Sequence, residues 1–127
     1  GTEDPPDIPA AMSETIDEWR DAVLAQDTGR ITALYSDDAV WHDEALDETL
    51  SVTTGWSIFS MVQDVVEVET EAASGDTAVI RWTFEGSNWG TTGLSVLTFD
   101  DEGTIVAETV YYDCAQSPVP FRCANMG

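Results

Sequence analysis

The chain has 127 residues, which is enough for one domain with one hydrophobic core. Twenty-five Asp and Glu residues oppose four arginines and no lysine, so the formal net charge is -21. Binding to nucleic acid or to an anionic membrane needs a basic surface, and the composition therefore excludes both kinds of partner. Because so many carboxylates repel one another in dilute buffer, we expect a protein that is more stable in molar salt, as halophilic proteins are.

The predicted organisation is one domain between two short terminal segments. Residues 1–12, rich in proline and acid, are interpreted as a flexible lead, residues 13–113 as the domain and residues 114–127 as a tail. Cys114 and Cys123 lie in this tail, and we expect a disulfide between them that contributes roughly 2 to 3 kcal/mol. A disulfide indicates a secreted or cell-surface protein, whereas without one the acidity fits the cytoplasm of a halophile.

The N-terminal part of the predicted domain is helical. Ser13 is expected to cap an amphipathic helix in which Ile16, Trp19 and Val23 recur at three- and four-residue spacing, so that they form one apolar stripe. A second short helical turn is expected over residues 31–35. An extended segment at residues 39–43, a loop at 44–54 and a short helix around Trp56 are predicted to follow.

The C-terminal half alternates apolar and polar residues with the period of a β-strand. Strands are predicted at residues 65–72, 77–85, 94–99 and 104–113, with turns at 74–76 and 100–103 and a loop at 86–93. Helices followed by antiparallel strands predict an α+β fold, in which the N-terminal helices pack in the concave face of a curved antiparallel sheet. The sequence has no glycine-rich phosphate loop or other cofactor motif, so we expect no cofactor. It also has no Ser or Cys nucleophile motif.

Four segments resemble the nuclear transport factor 2-like superfamily. They are the helix with Trp19, ALYSDDAVWHDE at residues 33–44, DTAVIRWTFEG at 76–86 and FDDEGTIVAETVYYD at 99–113. Within that superfamily the sequence is most similar to SnoaL-like polyketide cyclases and ketosteroid isomerase-type proteins. The resemblance implies a cone-shaped domain that encloses one apolar pocket, and a homodimer formed through the outer face of the sheet.

The resemblance to ketosteroid isomerase-type enzymes implies a role for Asp43. This residue occupies the position at which those enzymes keep their general base. Trp19 stands where they have a tyrosine that binds the oxyanion, and Ser95 stands where they have a protonated aspartate. The indole of Trp19 can donate one hydrogen bond but cannot act as an acid. The likeness to these enzymes is therefore stronger at Asp43 than at the two positions that bind the oxyanion.

Other members of the superfamily imply roles for Arg81 and Asp113. In limonene epoxide hydrolase-type members an arginine and a carboxylate that orients water fall at Arg81 and Asp113, and their second carboxylate is replaced here by Thr83. SnoaL-like cyclases place an acid/base aspartate close to Asp113. The resemblance therefore implies a catalytic group of Asp43, Arg81 and Asp113, in which the arginine keeps one carboxylate ionised.

The aromatic residues near these positions are candidates for contact with a ligand. Trp19, Trp41, Trp56 and Tyr111 are expected to line the pocket and to favour an apolar ligand. His42, the only histidine, is expected on the opposite face of its strand from Trp41. One histidine with scattered carboxylates does not predict a metal site.

Three classes of function are consistent with these residues. The first is a SnoaL-like domain that binds an apolar small molecule and performs cofactor-free acid/base chemistry on it, as in isomerisation, cyclisation or hydration. The second is a non-catalytic ligand-binding or dimerisation domain of the same fold, in which Arg81 is structural. The third is an acidic protein whose charge steers it toward a basic protein surface.

Overall fold

The computed structural model describes residues 8–44, 47–56, 64–85 and 90–112, and within them it confirms the predicted α+β class. No helix among these residues has the length and apolar character that crossing a bilayer demands. The elements of the described residues are α1 (Ala10–Leu24), α2 (Thr28–Thr32), a helical segment at residues 52–56, β1 (Tyr35–Asp43), β2 (Glu48–Ser51), β3 (Asp64–Ser74), β4 (Thr77–Glu85), β5 (Gly90–Phe99) and β6 (Ile105–Tyr112).

The strands form one curved, open sheet in the order β2-β1-β6-β5-β4-β3. Neighbouring strands are antiparallel, as predicted, except that β1 runs parallel to β6. A parallel pair needs a long crossover connection, and here most of the domain lies between the two strands in sequence. The pairing brings the N-terminal strand beside the last described strand.

Helix α1 packs its apolar stripe into the core. Ile16, Trp19 and Val23 are buried, which confirms the predicted amphipathic helix. The helix begins at Ala10, with Pro9 in the N-cap position, so the predicted start at Ser13 is wrong. A proline has no N–H to satisfy and its φ is already fixed, and it can therefore stand directly before a helix.

Strand β4 shows the predicted alternation most clearly. Ala78, Ile80, Trp82 and Phe84 are buried, and the residues between them lie on the other face. We call the face with these buried side chains the concave face and the opposite one the outer face. The bounds of β4 agree with the predicted strand at residues 77–85.

Other boundaries also differ from the prediction. The predicted helical turn at residues 31–35 stops at Thr32, and β1 begins at Tyr35 instead of residue 39. The predicted loop at 44–54 contains β2, which is short and is held by pairing Leu50 with Trp41. The predicted loop at 86–93 gives way to β5 from Gly90 onward, because pairing with β4 and β6 extends the strand beyond its apolar residues.

Candidate functional site

Two buried carboxyl groups lie on neighbouring strands of the concave face. Asp43 on β1 and Glu108 on β6 are each 1% exposed. In the parallel register Asp43 is opposite Val110 and Trp41 is opposite Glu108, so the two acids are offset by two residues. Strand geometry separates their Cα atoms by about 8 Å, which is close enough for both to face one bound molecule.

Glu108 accepts hydrogen bonds on both carboxylate oxygens. The Tyr35 hydroxyl donates to Oε1, and the Ser95 hydroxyl donates to Oε2 at 2.6 Å. Tyr35 is the first residue of β1 and Ser95 lies on β5, so strands on both sides of β6 contribute to the site. Both donors are themselves buried.

Indole N–H groups orient these two donors. Trp19 Nε1 and Trp56 Nε1 donate to the Tyr35 hydroxyl at 2.9 and 3.2 Å. Trp82 Nε1 donates to the Ser95 hydroxyl at 2.9 Å. Because an indole is a donor only, each hydroxyl must accept from it and turn its own proton toward the carboxylate. The hydrogen bonds of this network are therefore donated from three tryptophans to two hydroxyls, and from the hydroxyls to one acid, Glu108.

Burial decides the protonation of this network. Burial raises the pKa of Glu108 from 4.5 to about 7, although the hydrogen bonds from Ser95 and Tyr35 partly oppose it. Burial and the charge of Glu108 raise the pKa of Tyr35 well above 10.0. Tyr35 therefore stays a neutral donor, and Glu108 exchanges its proton near neutral pH.

Asp43 has a donor of its own. The Tyr112 hydroxyl donates to Asp43 Oδ2 at 2.9 Å, and the Tyr112 ring lies 6.2 Å from that of Trp82. Gly93 faces Tyr112 in the register, and a Cβ at this position would lie 2.4 Å from the Trp82 ring. Because Gly93 has no side chain, the indole of Trp82 can lie over β5 and approach Tyr112, which donates to Asp43.

The sequence and the fold identify the family of this chain. The family model of the SnoaL-like domain matches residues 16–108, which is most of the chain. The chain belongs to the SnoaL-like domain family. A search of curated proteins returned no match.

Solved structures from several bacteria share the fold of this SnoaL-like domain. A steroid delta-isomerase from Pseudomonas aeruginosa has a TM-score of 0.72 and 21% identity, with 83% of this chain and 81% of that chain covered. A SnoaL-like protein of unknown function from Burkholderia thailandensis has a TM-score of 0.63 and 22% identity, with 84% and 98% covered. An LEH-like epoxide hydrolase from M. tuberculosis has a TM-score of 0.62 and 17% identity, with 84% of each chain covered.

The SnoaL-like domain places Arg81 away from Asp43. Arg81 lies on the outer face of β4, where it forms ion pairs with Glu69 and with Glu71, the latter with 3.0 Å between Nε and Oε2. Its neighbours Ile80 and Trp82 occupy the concave face, and strand alternation then turns residue 81 outward. The prediction that Arg81 joins Asp43 in one site is wrong.

Tyr111 is also on the outer face. It is 44% exposed, because its neighbours Val110 and Tyr112 point inward, so its predicted contact with a ligand inside the cone is wrong. Asp113, Cys114 and Cys123 lie outside the described residues.

The other predicted residues divide between the core and the outer face. Trp19, Trp41 and Trp56 are buried in the core around Glu108, and their contact with a ligand stays a prediction. His42 lies on the outer face, with its Nδ1 2.7 Å from Thr49 Oγ1. Within the described part of the chain, no group of three or more His, Cys, Asp or Glu residues is arranged to hold a metal ion.

The sequence interpretation missed the centre of the site. Glu108 was not singled out, and Tyr35 was assigned to a helical turn. A signal for Glu108 exists in the sequence of β6, where the two-residue period of a strand puts it in one row with Val106 and Val110. A single acid inside an apolar stripe indicates a buried carboxylate that needs donors.

Proposed function

We propose that this SnoaL-like domain binds a small apolar molecule between α1 and the concave face and performs cofactor-free acid/base chemistry on it, as in isomerisation, cyclisation or hydration. The observation that carries the proposal is the pair of buried carboxyl groups, Asp43 and Glu108, on neighbouring strands under an aromatic wall. Two of the structural relatives are named for an isomerisation and for the hydrolysis of an epoxide.

In this proposal the two acids have different roles. Asp43 removes a proton from the bound molecule and returns it at another atom, because the Tyr112 hydroxyl holds its carboxylate in one orientation. Glu108, with a pKa of about 7, is the second group that exchanges a proton at working pH. Asp113 stays a predicted acid/base residue on the strength of the family resemblance.

Model substrates of two chemical classes test the proposal. A β,γ-unsaturated cyclic ketone reports isomerisation through the absorbance of the conjugated product, and an aliphatic epoxide reports hydration through the diol. We expect Asp43→Asn to lower kcat/KM for the accepted class on the order of 100-fold with little change in Tm, since an amide oxygen still accepts from Tyr112. Asp101→Asn, which removes an equal charge from an exposed turn, is the matched control.

The alternative is a ligand-binding or dimerisation domain without catalysis. It is favoured by one observation, which is that protein donors already occupy both oxygens of Glu108. A buried carboxyl group satisfied in this way can be purely structural. In that case the wild type turns over neither substrate class, although it still binds a neutral fluorescent probe. The main effect of Asp43→Asn is then a change in the Tm.

A homodimer through the outer face accompanies both versions of the proposal. Val40, Leu94 and Tyr111 are 48%, 36% and 44% exposed on this face, and Leu94 is directly opposite Tyr111 in the register. Val40 lies further along the sheet, opposite Ala107, whereas Leu94 and Tyr111 are neighbours, and neighbouring apolar side chains on an exposed face favour association. We expect Leu94→Glu to convert a dimer to a monomer in light scattering, and a wild type that is monomeric at high concentration contradicts the assignment.

A further inference from the structure

A cavity separate from the two buried acids lies where β1 begins. It has a volume of about 290 Å³ and is bordered by the end of α2, the first residues of β1 and residues 51–53. This volume is at the lower end of the range for small-molecule sites. Of the residues in its wall, only Tyr35 also belongs to the network around Glu108.

Three of the hydroxyl groups that line the cavity, those of Thr32, Ser36 and Ser51, have already used their protons, and the hydroxyl of Thr53 is a further lining group. Thr32 Oγ1 donates to a backbone carbonyl at 2.9 Å, Ser36 Oγ to a neighbouring carboxylate at 3.0 Å and Ser51 Oγ to a neighbouring hydroxyl at 2.8 Å. A hydroxyl has one proton and two lone pairs, so each of these groups can only accept from a ligand. The lining therefore favours a ligand that donates hydrogen bonds.

The remaining lining adds one negative charge and an apolar side. Asp37 is exposed at the cavity, and none of the described residues that line it is basic. Tyr35, Ala39 and Val52 supply carbon surface. The combination of acceptors, a carboxylate and apolar surface matches a cation that has N–H donors and a short hydrocarbon part.

We propose that this cavity binds a small primary alkylammonium ion. An ammonium group has three donors and no acceptor, which suits a lining in which the hydroxyls of Thr32, Ser36 and Ser51 accept. Its alkyl chain packs on Tyr35 and Val52, and Asp37 balances its charge. The net charge of -21 also raises the concentration of cations near the surface. This site is independent of the chemistry proposed for Asp43.

A titration followed by amide chemical shifts tests the site. The probe is n-butylammonium chloride, added at constant ionic strength to the full chain. We expect saturable shifts at the amides of Thr32, Ser36 and Ser51. Asp37→Asn is expected to weaken binding about two- to fivefold, which is the effect of losing one exposed charge pair. Asp101→Asn, an equal loss of charge in the turn between β5 and β6, is expected to leave the affinity unchanged.

Two neutralised or donor-free analogues make the test decisive. n-Butanol has a similar chain without the charge, and tetramethylammonium has the charge without N–H donors. Binding of either one at the same amides with equal affinity overturns the proposal of an ammonium site. Shifts that do not saturate, that spread over the acidic surface, or that respond equally to Asp37→Asn and Asp101→Asn also overturn it.

Discussion

Glu108 makes the stability of the protein fall as the pH rises toward neutrality. Burial raises its pKa in the folded state to about 7 from the ordinary value of 4.5. Between these pH values the folded protein keeps the proton while the unfolded chain has lost it, so the free energy of unfolding decreases with pH. The contribution of the neutral acid is complete below pH 4.5 and is lost above pH 7.

The magnitude follows from the two pKa values. The interval between 4.5 and about 7 corresponds to roughly 3 kcal/mol, since one unit of pKa equals about 1.4 kcal/mol. Glu108→Gln keeps the shape of the side chain but cannot ionise. Its amide oxygen accepts from one of the two hydroxyls and its NH2 group faces the other, and the cost of that mismatch is the same at every pH. The variant should therefore lack this part of the pH dependence.

Urea unfolding followed by tryptophan fluorescence measures the effect. Unfolding curves are recorded at pH 5, 6, 7 and 8 in 1 M NaCl, which screens the surface charges. The difference in unfolding free energy between the wild type and Glu108→Gln is then plotted against pH. We expect the wild type to lose most of the roughly 3 kcal/mol relative to the variant across this range. Glu102→Gln, in an exposed turn, should show the same pH dependence of the unfolding free energy as the wild type. A constant difference at all four pH values refutes the reasoning.

Three further predictions concern packing, the outer face and charge. Gly93→Ala brings a Cβ to 2.4 Å from both the Trp82 ring and the Tyr111 carbonyl oxygen, so we expect a loss of about 1 to 3 kcal/mol in chemical unfolding, and an unchanged midpoint contradicts it. Arg81→Gln removes exposed ion pairs and should leave ligand binding and turnover unchanged, and a loss of activity restores Arg81 as a site residue. Raising NaCl to 1 M should raise the Tm, and a flat melting series contradicts the role given to the net charge of -21.

Local patterns predict the elements of this fold better than their pairing. The stripe of α1 and the alternation of β4 are visible in the sequence because one face of each is apolar. The parallel pairing of β1 with β6 has no local signal, since it joins strands that are distant in sequence. Strand β2 contains one large apolar residue, Leu50, and is ordered by its partner rather than by its own composition.

The candidate site was predictable only in part, because it too depends on contacts between residues that are distant in sequence. Asp43 was chosen through a family resemblance, and it is buried, while its catalytic role stays a prediction. Arg81 was chosen for its charge, but on a strand the parity of a position decides its face, and its neighbours are core residues. Glu108 was missed because a carboxylate is rarely buried, and the two hydroxyls that donate to it lie on other strands, Tyr35 on β1 and Ser95 on β5.

The contact between β1 and β6 has a consequence for the order of folding. Tyr35 is 73 residues from Glu108 in sequence, and Asp43 is 69 residues from Tyr112. The entropy of closing such long loops must be lost before these contacts form, whereas the hairpins of β3 to β6 close over short distances. We therefore expect docking of the N-terminal strand to be the late step. In that step Glu108 gains the Tyr35 hydroxyl and Asp43 gains the Tyr112 hydroxyl, whereas Ser95 on β5 reaches Glu108 as soon as its hairpin with β6 forms.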